Sequence, residues 1–184
     1  MIQPWKTIRS TPAGDFGIFT LRRDRRASPR GHHEQDYVIL DCPDWVNVVA
    51  LTPDGRLVMV EQYRHGSETV ELEIPGGVMD PGENDPVAAG LRELREETGY
   101  AGTGARLLGV ILPNPAFIRN KCHTVLVEQC EMKHPTAFDP GEDLATRLVP
   151  VAEIPRLLAG GQIQHSLVHV ALCHFLLAQT GMKI

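Results

Sequence analysis

The chain has 184 residues, 42% apolar and 22% charged, which suits a single soluble globular domain with a small extension at most. Its net charge of −5 argues against a general nucleic-acid binder, whose footprint is basic; a nucleotide stays admissible at a locally positive or cation-recruiting site. No uncharged apolar run reaches the ~18 residues of a membrane span, and Met1 to Thr20 lacks the apolar stretch of a secretory signal.

Cys42, Cys122, Cys130 and Cys173 form no C-x-x-C pair. They read as thiols of a cytoplasmic protein. In chain order, Gly17 to Leu21 reads as a strand running into Arg22-Arg23-Asp24-Arg25-Arg26. That cluster reads as a solvated hairpin tip, with a grip on phosphate as the alternative. Tyr37 to Asp41, Val46 to Leu51 and Leu57 to Gln62 are short apolar runs. Thr52-Pro53-Asp54-Gly55 between the last two predicts a hairpin, because Pro fixes φ and Gly supplies a positive φ. Glu68 to Ile74 alternates as a half-buried strand does.

Asp85-Pro86 predicts a helix start and Gly99 its end. Val87, Leu91 and Leu94 give that helix one core face. Gly90 in its middle costs roughly 1 kcal/mol relative to Ala, which predicts a close backbone contact. Strands follow at Ala105 to Leu112, Lys121 to Cys130 and Leu144 to Val149. Val151 to Leu158 is a short helix and Ser166 to Ala178 a final apolar one. Mixed strands with few helices predict an α/β or α+β layered domain.

Glu93, Glu96 and Glu97 share an arc of roughly 100° on the first helix. Like charges at these spacings repel, and Arg92 and Arg95 offset only part of that. The remainder invites a hard divalent cation such as Mg²⁺, although spacing alone is also that of a solvated face. The glycine bends at Pro75-Gly76-Gly77 and Pro81-Gly82 bring backbone close to these carboxylates, and the Gly76 carbonyl is then a further candidate ligand.

The run from Gly77 to Tyr100 resembles the Nudix box, G-x5-E-x7-R-E-U-x-E-E-x-G-U. Gly77, Glu83, Arg92, Glu93, Leu94, Glu96, Glu97 and Gly99 carry the match, with Tyr100 where an aliphatic residue is usual. Eight residues, Asn84 to Leu91, stand between Glu83 and Arg92, where the pattern has seven. The extra residue is placed in the loop before the Asp85 cap, since within the helix it would rotate the carboxylates away. Val60-Glu61-Gln62-Tyr63-Arg64 and Glu71-Leu72-Glu73-Ile74-Pro75 are similar to the strands leading into the box in ADP-ribose pyrophosphatases and nucleoside diphosphate sugar hydrolases.

The resemblance implies an α/β fold, an α/β/α sandwich around a mixed sheet, with a small N-terminal β extension. Residues 1–42 are expected to form that extension and to support a homodimer, and residues 43–184 the catalytic domain. It implies Mg²⁺, with Mn²⁺ as substitute, held by Glu93 and Glu97 with Glu96 near and Gly76 contributing its carbonyl, while Arg92 braces the carboxylates. The substrate implied is a small-molecule nucleoside diphosphate derivative. A general base is still needed. Glu142 in Asp139-Pro140-Gly141-Glu142-Asp143 is the first candidate and Asp143 the next, with Glu96 or Glu97 as alternatives. Arg64, Glu73 and Pro115 are the substrate-binding candidates. Pro115 stands fifteen residues past Tyr100, an offset typical of relatives acting on ADP-ribose, but Pro113-Asn114-Pro115-Ala116-Phe117 lacks the Ser-Pro-Gly and acidic pattern that accompanies it. A nucleoside diphosphate sugar is therefore an equal candidate.

Trp45 or Tyr37 is a candidate for stacking on a base, with burial in the core as the alternative. His165 and His169 share a helical face, but no cysteine or acid completes a zinc set. The rival functions are a non-catalytic nucleotide-sensing module and an enzyme acting on dinucleoside polyphosphates or nucleoside triphosphates.

Overall fold

The computed structural model describes residues 1–31 and 33–181. These form two compact units, one of Met1–Asp44 with Leu112–Lys121, the other of Trp45–Ile111 with Cys122–Ile184.

The first unit is a four-stranded sheet in the order β1-β2-β3-β9. Its strands are β1 (Lys6–Asp15), β2 (Thr20–Ala27), β3 (Glu34–Asp41) and β9 (Ile118–Arg119). β9 joins β3 in parallel, Leu40 opposite Ile118. The arginine cluster is not a hairpin tip. The chain reverses earlier, at residues 16–19, where Gly17 takes φ 78°, and residues 22–26 lie inside β2 with neighbours on both sides. Two-residue alternation explains the difference: Asp24 is fully buried and draws Arg22 and Arg26 onto it, while Arg25 pairs outward with Glu34 and Asp36.

The second unit holds a mixed sheet, β11-β5-β4-β10-β8, with β6 on β5 and β7 on β4. Its strands are β4 (Trp45–Leu51), β5 (Arg56–Arg64), β6 (Thr69–Glu73), β7 (Gly76–Val78), β8 (Tyr100–Ile111), β10 (Cys122–Met132) and β11 (Leu144–Pro150). β4 and β10 run parallel, and the other pairs are antiparallel. The predicted hairpin joins β4 to β5, with Gly55 at φ 79°.

Three helices cover this sheet: α1 (Pro86–Thr98), α2 (Ile154–Ala159) and α3 (Ser166–Gln179). The strand period of two assigns side chains to faces. Val46, Val48, Ala50 and Val58 pack with Ala89 and Leu94 of α1. Val49, Leu57 and Met59 pack with Leu157 of α2 and with Val168, Leu172 and Phe175 of α3. The second unit is thus an α/β/α sandwich whose central strand, β4, is apolar on both faces. Gly90 explains how closely α1 seats: a Cβ there would meet Val48 Cγ2 at 3.2 Å and Val125 Cβ at 3.3 Å.

Candidate active site

The site is built on α1, whose ends are set by local chemistry. Asp85 accepts a 2.9 Å hydrogen bond from the Val87 N–H, Pro86 occupies the first turn, and Gly99 closes the helix at φ 73°. Those ends fix which residues face the sheet. Glu93 and Glu97 lie one turn apart and are both buried, 8% and 3% exposed, whereas Glu96 is half-exposed.

Each buried carboxylate has a different support. Glu97 Oε2 accepts a 3.0 Å hydrogen bond from the Gly76 N–H, where β7 begins. Glu93 Oε1 takes Arg92 Nη1 at 2.9 Å. The same guanidinium reaches Glu96 at 3.1 Å, Glu83 at 3.1 Å and the Val78 carbonyl at 3.3 Å. Gly77 leaves the space that the Glu93 carboxylate occupies.

The support is incomplete, and the acidities record it. Burial pushes Glu97 up to about 8; the Gly76 N–H and Arg64 oppose this, while Glu93 and Glu142 add to it. Burial pushes Glu93 up to about 7, opposed by Arg92 and reinforced by Glu96 and Glu142. Glu83 falls below its ordinary value through its bond to Arg92. Burial disfavours the charge on Arg92, but the bond to Glu83 and the charge of Glu93 outweigh it and raise the guanidinium's pKa.

Arg64 lies near enough for its charge to act on Glu97. Its Nε and Nη2 make a forked pair with Glu73, at 2.6 and 2.8 Å, and that bonding raises its pKa. Glu73 is 2% exposed, so its carboxylate is taken up in holding Arg64. His165 Nδ1 lies 3.7 Å from Glu73 Oε2; burial lowers its pKa, against the pull of Glu73. Sequence reasoning weighs His165 only for zinc. The available signal is its place just ahead of α3, where a side chain reaches back over strand ends.

The 139–143 loop closes on itself. Glu142 Oε2 accepts the Asp139 N–H at 2.9 Å and Gly141 adopts φ 99°. Glu142 is half-buried and its charge is felt by Glu93, Glu97 and Arg64, while Asp143 is exposed.

The donor set suits a hard cation. Mg²⁺ takes one or two carboxylates and keeps much of its water, and Glu93 with Glu97 supplies two buried carboxylates whose charge the protein leaves under-compensated. Among the described residues no three His, Cys, Asp or Glu side chains gather into a metal cage.

Residues 43–169 match the model of the NUDIX domain. The chain belongs to the Nudix family. It is 30% identical to an ADP-ribose pyrophosphatase of Mycobacterium tuberculosis over 164 residues, which is 89% of this chain and 79% of that one. It is 33% identical over 132 residues to a methanol dehydrogenase activator of Bacillus methanolicus, covering 72% and 70% of the two chains. A crystal structure of an ADP compounds hydrolase superposes with a TM-score of 0.87 at 22% identity, covering 98% and 97% of the two chains; that likeness concerns the fold. The chain is a Nudix pyrophosphohydrolase.

The Nudix box keeps its internal contacts despite the extra residue. Glu83 sits in a tight turn, its N–H on the Asp80 carbonyl at 2.9 Å, and still reaches Arg92. α1 starts beyond it, at Pro86. Trp45 donates its indole N–H to Asn47 Oδ1 at 2.9 Å. Pro115 belongs to the first unit, where it lines a cavity with Trp5 and Tyr37.

Proposed function

We propose that this Nudix hydrolase cleaves the pyrophosphate bond of ADP-ribose or a nucleoside diphosphate sugar, giving a nucleoside monophosphate and a sugar phosphate. One observation carries the reading: two buried, turn-spaced carboxylates, Glu93 and Glu97, tied to Arg92 and the Gly76 N–H beside the charge of Arg64. The ADP-ribose pyrophosphatase from M. tuberculosis supports the substrate class.

Mg²⁺, with Mn²⁺ as substitute, is the cofactor. It would be held by Glu93 and Glu97, with Glu96 and the Gly76 carbonyl beside it, and would neutralise the diphosphate and favour water attack on phosphorus. Arg92 keeps the glutamates aimed. Arg64 presents its remaining donor face to a phosphate oxygen, held in orientation by Glu73. Glu142 takes the proton of the attacking water, with Asp143, Glu96 and Glu97 as ranked alternatives. Water adds at one phosphorus as the P–O–P bridge breaks, and the departing phosphate carries away the bridging oxygen.

Residues 1–42 are proposed to pair two copies into a homodimer. β1 is an edge strand exposed over most of its length, and Ile8 and Val38 are 50% and 46% exposed, features that an edge normally hides. A cytoplasmic setting suits cysteines that remain thiols, Cys42, Cys130 and Cys173 among them.

The test is a substrate panel with Mg²⁺, read as phosphate released after phosphatase coupling. Turnover of ADP-ribose or of one diphosphate sugar is expected. Inactivity on every one of them by a folded protein would remove the assignment.

A further inference from the structure

Arg64, Glu73 and His165 meet inside the second unit, at the end of β5, the end of β6 and the residue just ahead of α3. The Glu73 carboxylate, 2% exposed, takes the Arg64 fork on both oxygens. His165 Nδ1 stands 3.7 Å from Oε2, the oxygen that Arg64 Nη2 already uses. That is about half an ångström beyond a hydrogen bond. Nδ1 is buried and, among the described residues, has no hydrogen-bond partner.

The backbone around His165 is pinned. Ile163 is fully buried and belongs to the same core cluster as Val168, Leu172 and Phe175 of α3. His169 donates from Nε2 to the Ile163 carbonyl, and its backbone N–H bonds the His165 carbonyl at 3.0 Å. A ring nitrogen left unpartnered in so fixed a place costs stability, which points to a use for it.

The neighbouring acid decides which nitrogen carries the proton. Burial lowers the pKa of His165, against the pull of Glu73, so at and above neutral pH the ring is neutral and has one N–H. A bare Nδ1 would turn its lone pair toward a carboxylate oxygen, whereas Nδ1–H offers Glu73 a donor. Glu71 is the other acid whose charge reaches His165, and its Oε1 is engaged by Thr69 Oγ1 at 2.6 Å.

The fork leaves Arg64 with N–H groups to spare. A phosphate oxygen on those groups shares the guanidinium charge, and Glu73 is then under-matched in a buried place, where an uncompensated charge is costly. We propose that His165 is a positioning residue of this site: it acts through Glu73, closing onto Oε2 when a phosphate engages Arg64, and so keeps the guanidinium turned to the diphosphate. The inference rests on the phosphate contact proposed for Arg64 and deepens it, because it assigns a role to a residue that touches neither substrate nor metal.

Steady-state kinetics on the diphosphate substrate with saturating Mg²⁺, at mildly alkaline pH, test the role. His165→Ala should raise KM about fivefold or more with kcat nearly unchanged, the pattern of lost binding rather than lost chemistry. His165→Gln keeps an N–H donor and is not a favoured helix cap, so it should recover most of that KM. In an Arg64→Ala background His165→Ala should change kcat/KM little, since the two act in series. A wild-type KM in His165→Ala, no recovery in His165→Gln, or an equal loss with and without Arg64 would overturn the role.

A second measurement needs no turnover. In proton–nitrogen spectra of the histidine-labelled protein, with the His165 signal identified by its loss in His165→Gln, inorganic pyrophosphate with Mg²⁺ should move the Nδ1–H of His165 downfield. The shift should vanish in Glu73→Gln and in Arg64→Ala. Should the wild-type protein turn over no diphosphate at all, the hydrolytic reading falls and this spectrum alone decides. A shift that needs both Glu73 and Arg64 upholds the link; no shift, or one that survives either substitution, overturns it.

Discussion

The Gly76 N–H and the Glu97 carboxylate share a 3.0 Å hydrogen bond that ties the start of β7 to the last turn of α1. It does not offset the burial of Glu97, whose pKa still lies near 8. Without a metal the site therefore holds a proton at neutral pH that a cation must displace, and that competition makes the arrangement measurable.

Stability of the metal-free protein should fall as pH rises from about 4.5 toward about 8, the interval between the ordinary and the raised values for Glu93 and Glu97. The direction follows from linkage: in that window the folded state binds more protons than the unfolded state, so each pH step favours unfolding. Every tenfold difference in proton affinity between the two states is worth ~1.4 kcal/mol. Mg²⁺ should restore stability at pH 8 and do little at pH 5, where protons occupy the oxygens. Melting curves with EDTA and with Mg²⁺ across this range provide the check; an unchanging gap between them would contradict the site.

Glu97→Gln should abolish turnover while sparing the fold. Glutamine reproduces the shape and neutrality of the protonated acid that the metal-free protein already tolerates, but removes a metal charge. Supporting groups around a metal cost 10–100-fold when lost, so kcat should fall by at least about 100-fold. Circular dichroism and melting in EDTA at pH 5, where the wild-type carboxyl holds its proton, should match wild type. Retained activity would count heavily against the assignment of Glu97.

The sequence is most informative where structure is local. Asp85, Pro86 and Gly99 mark both ends of α1, and Gly55 marks the β4–β5 hairpin, because each acts on its own neighbours. Glu93, Glu96 and Glu97 are legible as a cluster, since helical spacing suffices to group them. Arg22 and Arg26 show there only as part of a charged run, because the partner that organises them, Asp24, is buried by strands paired at a distance. The same holds for the Leu112–Lys121 segment: Asn120 bonds the carbonyl of Pro43, 77 residues away, which no local pattern encodes. Trp5 is silent in the sequence for that reason, and the fork between Glu73 and Arg64 is silent too, because it depends on the register between β5 and β6.

That fork predicts a non-additive pair. Arg64→Ala leaves Glu73 buried with its charge unmatched, and breaking such a pair costs ~3–5 kcal/mol. Arg64→Ala combined with Glu73→Leu should recover most of that stability while leaving activity low, since the proposed phosphate contact is still missing. Denaturant titration of the two single variants and the double variant separates the contributions. Additive losses would mean the two residues act independently.

Neighbouring glycines should fail in different ways. A Cβ on Gly76 would collide with the Val46 carbonyl, a backbone atom of the strand that β7 pairs with. Strands cannot yield there without losing their ladder, so Gly76→Ala should lower the melting temperature and activity together. A Cβ on Gly77 would collide instead with the Glu93 carboxylate, the far end of a flexible side chain. That group can swing aside at little cost to the fold, but only by leaving the position proposed for metal binding. Gly77→Ala should therefore melt close to wild type, need a higher Mg²⁺ concentration for half-maximal rate, and turn over at least tenfold more slowly. Melting curves and Mg²⁺ titrations of the two variants decide the matter. If Gly77→Ala keeps both its Mg²⁺ requirement and its rate, the place of Glu93 beside the cation is wrong.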